Sequence, residues 1–318
     1  MGLYMNSRLH TNIISYFKKV TAKTKISCVY CEGNSSLRHQ SAYHRFNIHH
    51  GPFDIYECND CGAAQTYPLP SVESLNKLYQ TYVNGLPNLH RMIMEQDPQS
   101  AMYEWCVNRI KNSFNYNLNS KFSWIEIGAG GGELSLKMAE AFPESTGIAV
   151  DLHPSPIENC SGIIQWKQLN LNTDEISENL PLVDLIVSVG VWEHVLNPGF
   201  FINNLLKLLK TDGALYLLCP NNSSLASLTL KSHWPLFIPG EHITIPTKIG
   251  AKKIIYREWE KLHLNARKIE VTSKSVMFPY TIGYFLKRLG LNTLSRLVPK
   301  GLSLPMPVGG LETIAKRK

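Results

Sequence analysis

Between residues 122 and 220 apolar runs of strand length alternate with apolar positions at helical spacing. Phe122–Ile127 is a short apolar strand that breaks at a cluster of glycines and gives way to a helix carrying Leu134, Leu136, Met138 and Ala139. Gly147–Asp151 reads as a second strand, Ile163–Leu169 as a third and Val183–Gly190 as a fourth. Pro198–Lys210 places Phe201, Ile202, Leu205, Leu206, Leu208 and Leu209 on one face of a helix. Thr211-Asp-Gly213 turns the chain, and Ala214–Pro220 is a buried fifth strand. Such alternation predicts an α/β, Rossmann-like parallel sheet with a ligand at the C-terminal ends of its strands. Upstream, Ser71-Val-Glu-Ser-Leu starts a helix with Leu75, Leu78, Tyr79 and Tyr82 on one side, and a second helix covers about 98–112. Residues 71–120 are therefore expected to form a helical connector packed over the sheet.

Composition narrows the class. The chain has 318 residues, 44% of them apolar and 18% charged, enough for a sizeable core and one appended unit. No apolar run approaches the ~18–20 residues that span a bilayer. Charge is uneven: from Lys248 to Lys318 there are 15 basic and 4 acidic residues, against a net charge of +7 for the whole chain. A basic C-terminal quarter fits either an anionic partner or a solvated face. The first 25 residues hold Arg8, Lys18, Lys19, Lys23 and Lys25 and no acid, and lack the apolar core of a secretory signal. They read as a basic arm, and the protein as cytoplasmic, with peripheral contact at the inner face of the membrane as the alternative.

Four of the seven cysteines form two pairs, Cys28-Val-Tyr-Cys31 and Cys58-Asn-Asp-Cys61. A two-residue gap lets both thiolates of a knuckle face one ion, and two knuckles complete a tetrahedral sulfur shell that suits structural zinc. Gly33 and Gly62 stand where the backbone turns past the metal. Two disulfides or a redox CxxC are the competing readings; the first is disfavoured without an export signal, the second without a βαβ context. Cys106, Cys160 and Cys219 are single and expected to be buried. His39, His44, His49 and His50 lie between the knuckles, where four sulfurs already satisfy an ion. Residues 26–70 are thus a zinc-ribbon unit.

The glycine turn Gly128, Gly130, Gly131, Gly132 lets a ligand lie against bare backbone at a helix N-terminus. Asp151, ending the second strand, can accept both hydroxyls of a ribose. Glu133 stands where a dinucleotide fingerprint GxGxxG requires glycine. Glu126 and Glu133 would repel a pyrophosphate and tolerate a cation. A single nucleoside with positive charge is the favoured ligand.

The stretches IEIGAGGGELS, GIAVDLHP, VDLIVSVGVWEHVLNPGFFINNLLKLLKTDGALYLLCPN and the closing GLETIAKRK resemble the class I S-adenosylmethionine-dependent methyltransferases. The resemblance covers about 122–222 plus the last strand, read as the reversed edge strand of a seven-stranded sheet. It implies that Glu126 and the turn Gly128, Ala129, Gly130, Gly132 hold the methionine part of S-adenosylmethionine (SAM). Asp151, with Leu152 beside it, would hold the ribose. Asn170 sits where the family often has an Asp touching adenine, and Gly190 and Val191 would line the sulfonium. The Asn-Pro-Pro-Tyr type motif of adenine-N6 enzymes is absent. The knuckles followed by CGAAQTYPLPSVESLNKLY are similar to zinc ribbons preceding bacterial methyltransferases of sugar and polysaccharide pathways. The methyltransferase unit would then span 121–318, with 221–265 as an insertion over the acceptor.

An oxygen acceptor also needs a base. His194, just past the fourth strand, is the candidate base; Glu193 beside it and His242 of the insertion are the other candidate catalytic residues, His242 either contacting the acceptor or shaping its loop. His194 could instead cap or pack, and in quinone-type relatives the Glu-His pair is linked to a divalent metal, which offers Glu193 and His194 as Mg²⁺ ligands. Trp234 and Glu241 of the insertion either touch acceptor or shape its loop. Pro279–Pro299 has an amphipathic pattern beside Lys287, Arg288 and Arg296, fit for packing or for an anionic membrane. The expected acceptor is a small molecule or saccharide, a nucleotide sugar or surface polysaccharide, anionic or lipid-linked. RNA and a non-catalytic SAM-binding role are the alternatives.

Overall fold

The computed structural model describes residues 26–42, 51–84, 100–153, 164–234, 236–262, 268–299 and 301–318. The basic arm, His44, His49, His50 and Cys160 lie outside the described residues. Two antiparallel hairpins open the structure: β1 (Ile26–Ser27) with β2 (Asn34–Ala42), then β3 (Phe53–Cys58) with β4 (Ala64–Tyr67). Each knuckle turns between strands, as a two-residue gap between thiolates requires. The two helices of the connector follow, α1 (Val72–Asn84) and α2 (Ser100–Phe114).

The second sheet holds the predicted alternation. Its strands are β5 (Ser123–Ile127), β6 (Thr146–Asp151), β7 (Ile164–Gln168), β8 (Val183–Val189) and β9 (Leu209–Pro220), with α3 (Glu133–Ala141) after β5, the single turn α4 (Ile176–Asn179) before β8 and α5 (Pro198–Lys207) after it. All pairings among these strands are parallel. Asn197 caps α5 by accepting from the Phe200 N–H, and Pro198 fills the first turn, where a missing N–H costs nothing. Strand β9 starts five residues earlier than the apolar run suggested. Leu208 and Leu209 are buried against β8, where Leu208 O accepts from Val183 N–H, so they leave the helix for the sheet.

The remaining elements are α6 (Leu225–Leu230), β10 (Thr244–Ile245), α7 (Lys248–Lys261), β11 (Ile269–Thr281), α8 (Ile282–Arg288), α9 (Asn292–Leu297) and β12 (Ser303–Arg317). The large sheet runs β11-β12-β9-β8-β5-β6-β7. The closing strand β12 is reversed as expected but is not the edge: it lies between β9 and β11, antiparallel to both, because the α8–α9 hairpin returns the chain into the gap beside β9. Helix α7 is the crossover between β9 and β11, and β10 pairs antiparallel with β4, Thr244 opposite Gln65 and Ile245 opposite Ala64. The insertion therefore supplies the fifth strand of the small sheet.

Two apolar layers cover the large sheet. On one face α2 and α3 bury Cys106, Ile110, Trp124, Leu134 and Met138. On the other, the cluster around α5 and α7 takes in Tyr30, Cys28, Cys58 and Cys61 of the small sheet. The cysteine unit thus shares its core with the sheet.

Candidate active site

The glycine turn follows β5, whose last four residues are buried. Gly128, Gly130 and Gly132 all have positive φ, 77°, 54° and 76°, where a side chain would be strained. At Gly128 a Cβ would also come within 2.2 Å of Val191 Cγ2, which fixes β8's end against the turn. At Gly130 and Gly131 a Cβ would meet no atom within 4 Å, so the turn faces open space of the kind a ligand could fill. Asp151 reaches this cradle: its Oδ2 accepts from Gly130 N–H at 2.8 Å and its Oδ1 from His153 N–H at 3.1 Å. Glu126 is buried and takes the hydroxyl of Ser135 from α3. Burial, reinforced by the charge of Asp151, pushes its carboxyl up to about 8. A cationic ligand would restore its charge, so the donor set fits SAM. Ala129 is buried and Leu152 half-buried at the same strand ends, while Gly190 is exposed with φ 68°. Asn170 makes a local turn, accepting from Asn172 N–H, and gives its amide to Asn76 of α1.

Just past Gly190 the chain forms a 3-10 turn, Trp192–His194. Three side chains converge there: Glu193, His194 and His242 bring one donor atom each within 4.8 Å of one another. His194 Nε2 lies 3.9 Å from Glu193 Oε1, and the two imidazoles meet edge to face at 4.8 Å. Glu193 is 3% exposed and its Oε2 has no hydrogen-bond partner among the described residues. Burial, with the charge of Glu241, pushes its carboxyl up to about 8. His242 Nδ1 is 2.6 Å from Leu236 O, a contact in which the ring must donate; this leaves Nε2 as the basic nitrogen.

Sequence reasoning missed what holds this cluster in place. Thr66 of β4 gives its hydroxyl to His242 O and its N–H to Ile243 O, and Ile243 N–H in turn donates to Glu193 O at 2.7 Å. Tyr79 of α1 sets its ring 6.2 Å from His194, edge to face. In the sequence it is only one of several apolar positions on a helix. Trp234, in contrast, is fully buried with its indole N–H on Val308 O, which braces the loop.

The four paired cysteines also converge. Cys28 and Cys61 sulfurs are 3.6 Å apart, Cys31 and Cys58 3.4 Å, and all four are free thiols. Backbone N–H groups of Tyr30 and Asp60 point at Cys28 and Cys58 sulfurs, as in a metal knuckle. This geometry excludes the disulfide reading in this structure and fits a tetrahedral ion. The cluster is tied to the methyltransferase sheet. Thr247, the N-cap of α7, gives its hydroxyl to Cys61 O. Arg257 of α7 donates to the carbonyls of Val29 and Tyr30, and Asn222 to Gly62 O at 2.7 Å. Tyr30 itself, fully buried between the thiols, bonds Thr244 Oγ1 at 2.9 Å and meets the Trp192 ring edge to face at 5.8 Å.

Strand order, reversed β12 and glycine turn together define a Rossmann-like class I methyltransferase fold. Comparison agrees: residues 95–250 match a family described as a methyltransferase domain. The ubiquinone biosynthesis O-methyltransferase of Rickettsia prowazekii (strain Madrid E) is 32% identical over 129 residues, 39% of this chain and 50% of that protein. The malonyl-[acyl-carrier protein] O-methyltransferase of Anoxybacillus flavithermus (strain DSM 21510 / WK1) is 27% identical over 148 residues, 45% of this chain and 55% of that protein. The chain spans about half the length of these curated relatives. Among solved structures, the plantazolicin methyltransferase BamL, crystallised with a triazolic desmethylPZN analog and SAH, matches with TM-score 0.50 at 14% identity, covering 77% of this chain and 96% of that one. That likeness is one of fold.

Proposed function

We propose that this protein transfers a methyl group from SAM to a hydroxyl oxygen of a small molecule, with the His194–His242 pair taking the hydroxyl proton. The observation that carries the reading is the placement of Glu193, His194 and His242 immediately beyond the strand end that closes on the glycine turn. When bound, SAM supplies a methyl carbon activated by a sulfonium. The turn Gly128–Gly132, with Asp151 and Glu126, holds the donor; Gly190 and Val191 line its reacting end. Alignment of donor and acceptor accounts for up to ~7–11 kcal/mol of barrier reduction. A positioned base adds about 10²–10⁴ in rate. The acceptor proton passes to an imidazole of this pair, and Glu193, whose Oε1 lies 3.9 Å from His194 Nε2, flanks the His194 ring.

The relatives named for O-methylation support an oxygen acceptor. The narrower expectation of a saccharide rests on the ribbon resemblance alone. The cysteine cluster is read as structural zinc: four sulfurs fill a tetrahedral shell and leave no position for a substrate. The test is incubation with methyl-labelled SAM and a panel of phenols, nucleotide sugars, lipid-linked glycans and RNA. Label in a hydroxyl of one small-molecule class, lost in His194→Ala and His242→Ala, supports the proposal. Label in RNA, or none with any acceptor despite SAM binding, overturns it. Loss on chelation with recovery by magnesium, the thiol cluster remaining loaded, would reassign Glu193, His194 and His242 to a cation.

A further inference from the structure

We infer that the α8–α9 hairpin and the adjoining strand ends form a docking surface for an anionic lipid membrane. The hairpin joins the C-terminal end of β11 to the start of β12. Because β11 runs parallel to β5, β6, β8 and β9, it emerges at the edge of the sheet where the glycine turn and the Glu193–His194–His242 cluster lie. Its own small core is aromatic: Phe278, Tyr280 and Val308, with Tyr284 and Phe285 of α8 packed on them.

With that core satisfied, the apolar side chains that follow point outward. Leu291, Leu294 and Leu297 repeat every three residues along α9 and are 43%, 50% and 77% exposed. Met277, Leu302 and Leu304 on the neighbouring strand ends are 57%, 42% and 50% exposed. Helix α6, which contacts β12, adds Leu225 and Leu228, also exposed. A soluble surface seldom groups so many large aliphatic side chains without a partner.

Charge selects the partner. From Val271 to Leu311 the sequence carries no acidic residue; of its bases Lys274 pairs with Glu312 at 3.3 Å, and Lys287, Arg288, Arg296 and Lys300 fall in the hairpin segment. Leucines set among bases without acids suit an interface of acyl chains beneath anionic headgroups. A second copy of this chain fits less well, since a two-fold contact would set this all-basic segment against itself. Docked this way, the sheet edge that carries the active site would face the lipid, and an amphiphilic acceptor could enter from the bilayer. That last step rests on the methyl-transfer reading; membrane docking itself does not.

The test is vesicle flotation of the full chain. Wild type should float with phosphatidylglycerol vesicles and not with phosphatidylcholine vesicles, and release at high salt. Leu294→Ser with Leu297→Ser should lower vesicle partitioning by about tenfold or more, and Arg296→Glu should weaken it further. Binding of S-adenosylhomocysteine by calorimetry should be unchanged in each variant, which reports an intact fold and separates this result from any failure of methyl transfer. Absence of flotation with anionic vesicles, equal flotation of the leucine variants, or a dimer by light scattering that these variants abolish would each overturn the inference.

Discussion

Tyr30 is the third residue of the first cysteine knuckle, yet its ring meets Trp192 in the turn that carries Glu193 and His194. Replacing it tests whether the cysteine unit shapes the active site. Tyr30→Phe keeps the ring against Trp192 and removes only the hydroxyl, leaving Thr244 Oγ1 buried without that bond. The expected cost is about 1–3 kcal/mol of stability, which a protein with roughly 5–15 kcal/mol in hand survives. Tyr30→Ala also empties a fully buried ring site, at about 3–5 kcal/mol, of which the edge-to-face contact accounts for about 0.5–1.5. Trp192 then has space to move, and Glu193 and His194 follow it in the same short turn. A shift of about 1 Å at reacting groups can cost ~10²-fold in rate. Denaturant unfolding, calorimetric affinity for S-adenosylhomocysteine and turnover with labelled SAM separate these effects. Tyr30→Phe should lose stability with turnover nearly kept; Tyr30→Ala should lose both, with cofactor affinity unchanged. A folded Tyr30→Ala protein with wild-type turnover would refute the coupling.

Three further outcomes are expected. His194→Ala and His242→Ala should each lower kcat by about 10²–10⁴ while leaving cofactor affinity near wild type, as read by single-turnover kinetics and calorimetry. Burial raises the carboxyl of Glu193 to about 8 in the folded state, so its contribution is complete below its unfolded value near 4.5 and is lost as pH rises towards 8. Glu193→Gln should flatten that decline, by no more than about 5 kcal/mol across the window, in urea melts run between pH 4.5 and 8. If the four thiols hold an ion, a strong chelator, or Cys58→Ser, should destabilise the small sheet and with it the position of His242, since Thr66 holds both His242 and Ile243; metal content, thermal midpoint and turnover should then fall together.

The parallel sheet was legible because its strands are apolar and bounded by glycines, turns and capped helices, so local pattern and global position agree. The cysteine spacing was legible for a similar reason: two short gaps fix the direction of four sulfurs. What escaped was contact between distant segments. Nothing in Thr244-Ile245 marks a strand, because a two-residue pairing has no period to read, and its partner β4 lies far upstream. The edge position assigned to the closing strand failed likewise, since β12 is interior only through the return of a hairpin that follows β11. His194 was found by its place after a strand. Tyr79 and Thr66 were not, because a residue that positions another through ring contact or a backbone bond carries no motif of its own.

The pairing of β4 with β10 also has a consequence in time. The fifth ribbon of the small sheet is made only after most of the large sheet has left the ribosome. Until then β4 presents unpaired backbone groups along one side, an invitation to stray association. A polypeptide ending before Thr244 would keep that side bare permanently, so an excised N-terminal fragment should self-associate, whereas the whole chain covers its own vulnerable border.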